Sequence, residues 1–222
     1  MSYFTGLPRE LFTFFDDLGR DNTKEFWAAN THVWREAVEA PMRALLTELE
    51  DELPPLRLFR PNRDLRYTRD KSPYKLFTGA TSDATPIGGS GYHLHVDADG
   101  LTIACGAMLF SSAEQQRFRT SIAEDVTGGQ FQDVVSALTT ASLPVTPGLR
   151  PPLKRVPTPH TGDHPRAEFL RWKGAAMATE FEMAPWMHTT DAANRIRQVW
   201  RTARPLMDWL AFHVVTDDAP RP

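Results

Sequence analysis

The chain has 222 residues, of which 41% are hydrophobic and 24% are charged, and a formal net charge of −3. This length can bury a sizeable core, and the composition is ordinary for a soluble globular protein. The near-neutral charge argues against a general nucleic-acid coat protein. The single cysteine, Cys105, excludes an internal disulfide and is typical of a reducing compartment.

The sequence shows no targeting or membrane segment. Its first residues contain neither the charged nor the apolar region of a signal peptide. No stretch reaches the roughly 20 apolar residues of a membrane-spanning helix. Dinucleotide and P-loop glycine motifs are missing as well, so no cofactor is predicted. We therefore expect a cytoplasmic protein that does not enter a membrane.

Apolar spacing predicts two helices near the N-terminus. Residues 7–18 form one amphipathic helix, with Pro8 suited to its first turn. Asn22, followed three residues later by Glu25, is typical of the capping residue of a second helix. Pro41 is expected either to kink this second helix or to divide it.

A β-hairpin is the clearest pattern in the middle of the chain. Residues 92–96 alternate between apolar and polar, Asp99-Gly100 supplies a turn, and residues 101–109 return. Gly106 within the return strand predicts a close backbone approach. The small, glycine-rich residues 78–91 before the hairpin predict a surface loop.

Helices and one irregular segment are predicted for the second half. Ser111 and Ser112, followed by Glu114 and Gln115, are typical of the cap of a helix that Thr127-Gly-Gly129 ends, and another helix follows at 131–138. Seven prolines between residues 143 and 165 predict irregular structure. Asp163 is interpreted as the cap of a short helix that follows.

The C-terminal pattern completes the fold prediction. A strand is expected at 176–183, and a long final helix at 190–214 whose arginines form a solvated face. Helices and hairpin-connected strands in separate groups predict an α+β fold, with a mainly antiparallel sheet packed by helices in a single domain over 1–222. A short disordered tail is expected from about residue 216.

One segment of this acidic chain is strongly basic. Residues 57–75, the basic segment, contain seven basic and two acidic residues, a balance of +5, so the remaining residues carry −8. Pro61 and Pro73 argue against a helix here. We predict a short strand at 63–68, whose polar face includes Asp64 and Arg66, and a turn at 70–74.

The basic segment also carries a long motif that resembles a known family. The pattern R-x-x-R-D-x-R-[aromatic]-x-x-[DN]-K-x-x-Y is similar to the signature of a bacterial family, the domain of unknown function 2461. Tyr67 stands where the family usually has Phe, which keeps a packing role. The resemblance extends from Phe12 to Leu210, with shorter matches at 22–27, 153–157 and 163–165. It implies no established activity.

Three interpretations of the basic segment are open. In the first, guanidinium groups bind a phosphate- or carboxylate-bearing small molecule through paired donors. Asp64 or Asp70 would then act as general base or hold a divalent metal, and Lys71 would offset negative charge. The predicted ligand-binding residues are Arg60, Arg63, Arg66, Tyr67, Tyr74, Lys154 and Arg155.

The other two interpretations need no chemistry. In one, the same side chains form a non-catalytic binding surface for a protein or nucleic-acid partner. In the other, Asp64 and Asp70 pair with the arginines, and the network fixes the shape of the segment. The surplus of positive charge favours an anionic ligand, but the residues leave open whether the protein is an enzyme, and they do not indicate its oligomeric state.

A metal site and a nucleophilic cysteine are weaker hypotheses. Alternation places His93, His95 and Asp97 on one strand face, where two imidazoles and a carboxylate would suit a transition metal. His160 or His164 would have to complete such a site. A solvated polar strand is favoured instead, so no metal is predicted, and Cys105 is expected to be buried and inert.

Overall fold

A six-stranded antiparallel sheet organises the chain, in the strand order β1-β2-β3-β4-β6-β5. The computed structural model describes residues 3–66, 69–82 and 88–215. The strands are β1 Arg57–Leu58, β2 Phe77–Thr81, β3 Gly91–Asp97, β4 Gly100–Ala107, β5 Val145–Thr146 and β6 Ala175–Glu182. Together with the helices, this sheet confirms the predicted α+β class.

The helices account for most of the remaining regular structure. They are α1 Arg9–Arg20, α2 Lys24–Val33, α3 Ala40–Leu49, α4 Ser112–Ala123, α5 Asp125–Thr140, α6 Ala167–Leu170 and α7 Asp191–His213. A π-helical turn at Trp34–Glu39 joins α2 to α3, and a 3-10 turn lies at Pro185–His188. None of the helices in the described ranges is both long and apolar enough to cross a membrane.

The chain divides into two compact units. The first comprises residues 1–82, 93–103 and 180–198, and the second comprises residues 83–92, 104–179 and 199–222. The single domain over 1–222 stays a prediction. The tail expected from residue 216 lies outside the described residues.

The predicted hairpin is confirmed as β3 and β4. Its turn is fixed by Asp97, whose Oδ1 accepts the backbone N–H groups of Asp99 at 2.9 Å and Gly100 at 3.1 Å. Gly106 has a φ of +122°, and a Cβ there would lie 2.4 Å from the carbonyl oxygen of Ala175. The predicted close approach is therefore confirmed.

The strand β2 corrects the loop predicted at 78–91. Residues 78–81 belong to β2 and pair with β3, while 83–87 lie outside the described residues. The side chains of Thr78 and Ala80 are buried. Because Thr, Gly and Ala give a weak apolar alternation, the pattern did not indicate a strand.

The first unit contains the two N-terminal helices. The apolar face of α1 is buried, as predicted. The cap of α2 is Thr23, whose Oγ1 accepts the N–H of Phe26 at 3.1 Å, so the assignment of Asn22 as cap was wrong. The predicted interruption of the long helix is found next to Pro41, which lies in the first turn of α3. The π-helical turn lies just before it, since proline lacks an N–H and its ring displaces the carbonyl four residues earlier.

The second unit contains α4 and α5. Ser111 caps α4 in a capping box with Glu114, which confirms the predicted start. The predicted end at Thr127-Gly-Gly129 was wrong, because α4 ends at Ala123 and α5 runs through both glycines. Gly128 lies against Arg166, whose Nε donates to the carbonyl of Ile122 at 2.6 Å. Gly128 therefore makes room for Arg166 and does not end the helix.

The short helix α6 begins later than expected. Its first residue is Ala167, and Asp163 does not cap it, which corrects the prediction. The Asp163 carboxylate accepts a hydrogen bond from the hydroxyl of Thr161. Nδ1 of His164 accepts the N–H of Arg166 at 3.1 Å. These local side-chain bonds hold a turn before the helix starts.

The long helix α7 and the strand β6 confirm the C-terminal predictions. The solvated arginine face is wrong at one position. Arg197 is only 14% exposed and lies within 3.5 Å of Glu48 and 3.7 Å of Glu52. Its Nη2 also donates to the carbonyl of Glu48 at 2.6 Å. Arg197 therefore joins the first turns of α7 to the end of α3.

Candidate anion-binding site

The basic segment forms an antiparallel loop instead of the predicted strand at 63–68. The N–H of Arg63 donates to the carbonyl of Pro73 at 2.9 Å, and the N–H of Lys75 donates to that of Pro61 at 2.8 Å. Both prolines lack an N–H, so each serves only as an acceptor and the ladder stops after these contacts. Tyr67 and Thr68 lie outside the described residues.

Two side chains of the α2 region anchor the base of this loop. Asn22 donates through Nδ2 to the carbonyl of Tyr74 at 3.0 Å and accepts the N–H of Tyr74 at 3.1 Å. The ring of Trp27 stacks on that of Tyr74, with centroids 4.1 Å apart and 13° between planes. Tyr74 is 8% exposed. Its ring therefore supports the loop from within the aromatic packing of the first unit.

Asp64 and Arg66 form a bidentate ion pair. Arg66 Nε lies 3.0 Å from Asp64 Oδ1, and Nη2 lies 2.6 Å from Oδ2. The backbone N–H of Arg66 also donates to Oδ1, at 3.2 Å. These hydrogen bonds, from the side chain first and then from the backbone, hold the pKa of Asp64 well below its usual range.

Asp70 is engaged in the same way by its own neighbours. Its Oδ1 accepts the hydroxyl of Ser72 at 2.6 Å and the N–H of Ser72 at 2.9 Å, and its Oδ2 pairs with Nη1 of Arg63. The pKa of Asp70 is lowered first by the bonds from Ser72 and then by Arg63. Both predicted general bases are thus held ionised by hydrogen bonds, which makes them weak proton acceptors.

The two lysines of the loop hold its backbone. Lys71 Nζ donates to the carbonyl of Leu65 at 2.9 Å, and Lys75 Nζ donates to the carbonyl of Arg60 at 2.6 Å. Neither contact neutralises a charge. The loop therefore keeps the surplus of +5 given by its sequence, on a backbone that is fixed at several points.

Most charged side chains of the loop face solvent, whereas the Arg63 side chain is 28% exposed and Lys75 is partly exposed. The exposed fractions are 75% for the Arg66 side chain, 43% for Asp64 and 55% for Asp70. Arg60 and Arg69 are exposed as well. This arrangement is an open surface with multiple donors, and it does not enclose the carboxylates.

Lys154 and Arg155 were predicted to join the same site. They are exposed and lie in the irregular segment of the second unit. The second unit also has an open groove of about 290 Å³ lined by Ala113, Gln116, Arg117, Thr120, Ser121 and His213. This groove contains none of the predicted site residues.

His95, Asp97 and Cys105 are the residues on which the metal and thiol hypotheses depend. Nε2 of His95 lies 3.1 Å from Oδ2 of Asp97. Within the described ranges, no three His, Cys, Asp or Glu side chains come together in a group that could hold a metal ion. Cys105 is fully buried, and this burial raises the pKa of its thiol to about 12. The predicted burial of Cys105 is therefore confirmed, and the inertness of its thiol stays a prediction.

The lowered pKa of Asp70 predicts how the loop responds to acid. Its folded-state pKa lies below the ordinary 3.8, so its contribution to stability is complete above that value and is lost as the pH falls through the folded-state pKa. Solvent screens this exposed pair, so the effect on unfolding is small. We expect Ser72→Ala to raise the pKa of Asp70 towards 3.8 without changing that of Asp64. Carboxyl titration by NMR measures both values, and an unchanged Asp70 would contradict the assigned cause.

The anchoring role of Asn22 and Trp27 was not predicted from the sequence. Asn22 was interpreted as a helix cap, and Trp27 was not assigned any contact with the loop. A signal was present, since residues 22–27 belong to the resemblance described above although they lie far from the basic segment in sequence. Hydrogen bonds across 52 positions leave no local periodicity.

Comparison with known proteins identifies a family but no characterised relative. The family model described as "Conserved hypothetical protein (DUF2461)" matches residues 10–209, which is most of the chain. No curated protein and no solved structure matches the chain.

Proposed function

We propose that this chain, which belongs to the DUF2461 family, binds a phosphate- or carboxylate-bearing ligand on its basic segment. The observation that carries the proposal is the pairing inside the loop. Asp64 and Asp70 each form an ion pair with an arginine of the same segment. The segment still has a net charge of +5, on a backbone that hydrogen bonds hold at several points. Guanidinium groups presented in this way suit planar oxyanions.

The geometry favours binding over proton transfer. A general base works best with a pKa near the working pH, whereas the pKa values of Asp64 and Asp70 are lowered. These carboxylates are better suited to orienting Arg66 and Arg63 towards a ligand. An enzymatic role would require a ligand that displaces one of these pairs. The proposal includes a cytoplasmic location, supported by the single cysteine.

The second candidate is a non-catalytic surface for a macromolecular anion. It is favoured by the exposure of the loop, because Arg66 is 75% exposed and the paired carboxylates are open to solvent. A small ligand usually requires a concave site that buries most of its surface. A long polyanion needs only a track of positive charge.

A charge-matched pair of variants tests the proposal. Arg66→Gln removes a guanidinium that is 75% exposed and paired with Asp64, whereas Arg20→Gln removes one that is 69% exposed and paired with Asp16 and Asp17. We expect pyrophosphate or citrate to raise the thermal midpoint of wild type and Arg20→Gln but not of Arg66→Gln. At a hundred times the dissociation constant, the gain is about 2.7 kcal/mol.

The measurement is thermal unfolding at matched ionic strength. A wild-type midpoint that no anion raises, or an equal rise in Arg66→Gln, would overturn the small-ligand proposal. If Arg66→Gln unfolds at ordinary temperature without any ligand, the loop network is structural instead.

A further inference from the structure

We propose that the basic segment and the aromatic face beside it bind single-stranded nucleic acid, with bases on the rings of Phe59, Phe77 and His95. The arginines of the segment would contact the phosphates. This inference rests on the proposed anion-binding function and names the class of ligand. Single-strand binders combine a basic track with aromatic side chains on which unpaired bases stack.

Two of the three rings stand at the ends of the basic loop. Phe59 lies near the start of the basic segment, and Phe77 lies two residues after its end. Their rings meet edge to face, with centroids 6.3 Å apart and 87° between planes. Phe77 also stacks on His95, with centroids 4.3 Å apart and 28° between planes. The three rings therefore form a continuous row, and the carboxylate of Asp97, which pairs opposite Phe77, lies 3.1 Å from Nε2 of His95.

The strand register explains why these rings share one face. Gly79 pairs with His95, and the N–H of Phe59 donates to the carbonyl of Gly79 at 2.8 Å. Residues directly opposite each other lie on the same side of an antiparallel sheet. Because Gly79 lies between Phe59 and His95 and has no side chain, the ring of Phe77 reaches both of its neighbours.

This face differs from the opposite face of the same strands. Phe59, Phe77 and His95 are all partly exposed. The alternate residues on β2 and β3 are buried: Thr78, Ala80, Leu94 and Val96. The three rings therefore lie on the more exposed side of the sheet, where part of their apolar surface is available to a ligand.

Charge selects the class of ligand. Nζ of Lys75 lies over one face of the Phe59 ring, 5.6 Å from its centroid, so a cation already contacts the first ring. The adjoining segment carries +5, whereas the remainder of the chain carries −8. A polyanion is therefore attracted to this part of the surface and repelled from the rest on average. Unpaired bases match the rings and phosphates match the arginines, whereas an acidic peptide matches only the charge.

The direct test is fluorescence anisotropy with labelled oligothymidylate of about 12 nucleotides at about 50 mM salt. Phe77→Leu keeps an apolar side chain but removes the aromatic ring. Phe212→Leu makes the same change at a phenylalanine that is 85% exposed elsewhere. We expect Phe77→Leu to weaken binding about tenfold and Phe212→Leu to leave it unchanged. Circular dichroism checks that both variants keep the wild-type midpoint.

Two further probes separate bases from charge. One probe is a DNA duplex of the same length, and the other is a polyglutamate peptide of similar length. Both present negative charge without unpaired bases. We expect both to bind at least about tenfold more weakly than the single strand. Equal binding of polyglutamate would overturn the inference in favour of an acidic protein partner, and equal binding of the duplex would overturn the role of stacking.

The inference and the proposed function fail in different ways. If pyrophosphate stabilises the wild type through Arg66 but the oligonucleotide does not bind, the proposed function stands and the nucleic-acid inference is overturned. If the oligonucleotide binds and Arg66→Gln has no effect on it, the basic segment is not the phosphate site of the oligonucleotide and the inference is overturned, whereas the proposed function is still decided by the pyrophosphate experiment. Loss of binding in both Phe77→Leu and Arg66→Gln supports both.

Discussion

Replacement of Gly128 by Ala is expected to destabilise the second unit by about 2–3 kcal/mol, although Gly→Ala within a helix usually stabilises. A Cβ at this position would lie 2.2 Å from the carbonyl oxygen of Ile122 and 2.4 Å from Nε of Arg166. The first obstacle is backbone, and the second is a buried side chain that cannot move without losing its own partners.

Arg166 occupies the space beside Gly128 and is held there by its own hydrogen bonds. Its guanidinium is 7% exposed and donates to the carbonyls of Ile122 at 2.6 Å and Ala123 at 3.2 Å, and to Asp125 at 2.9 Å. It thus satisfies carbonyls at the end of α4 that have no partner within that helix. Displacing Arg166 would leave these carbonyls and a buried charge unpaired.

The neighbouring glycine supplies the control. A Cβ at Gly129 would meet nothing within 4 Å, so Gly129→Ala is expected to stabilise the protein by about 0.5–1 kcal/mol through helix propensity alone. Urea unfolding of the two variants measures the difference. Effects of the same sign at both positions would contradict the packing of Arg166 against Gly128.

The same pair of glycines shows where sequence reasoning succeeds and where it stops. Periodic apolar residues predicted the hairpin and the long helices α1 and α7, because each of these elements buries one face. The helix end predicted at Thr127-Gly-Gly129 was wrong because Gly128 makes room for the side chain of Arg166 and does not end the helix. Arg166 lies far along the chain, so no local pattern distinguishes this case from a helix end.

The candidate site, like the fold, could be predicted only in part from the sequence. Charge counting located the basic segment, since a surplus of +5 in an acidic chain is visible without any structure. The predicted strand failed because Asp64 and Asp70 bond to nearby N–H groups and offer the backbone an alternative to a ladder. The row of Phe59, Phe77 and His95 could not be predicted without the register of β2 and β3, since β2 itself was assigned to a loop.

The second large effect is expected at the base of the loop, where Asn22→Ala should greatly accelerate tryptic cleavage of the basic segment. Asn22 provides both hydrogen bonds that connect the backbone of Tyr74 to the α2 region, at 3.0 and 3.1 Å. Without them, the N–H and the carbonyl of Tyr74 lose their side-chain partner, and the expected cost is about 1–3 kcal/mol. The stack of Trp27 on Tyr74 would remain.

Thr23→Ala is the matched control for this experiment. It removes the cap of α2, a bond of 3.1 Å to the N–H of Phe26, at a cost of about 1 kcal/mol. The change lies one residue away but does not touch the loop. Local opening controls proteolysis when reclosing is fast, so a cost of about 2 kcal/mol confined to the loop raises its cleavage rate by roughly 30-fold. Mass spectrometry locates the first cuts. Faster cleavage in Asn22→Ala but not in Thr23→Ala supports the anchor if the first cuts follow Arg63, Arg66, Arg69 or Lys71. Equal rates in the two variants would show that the loop is held by other contacts.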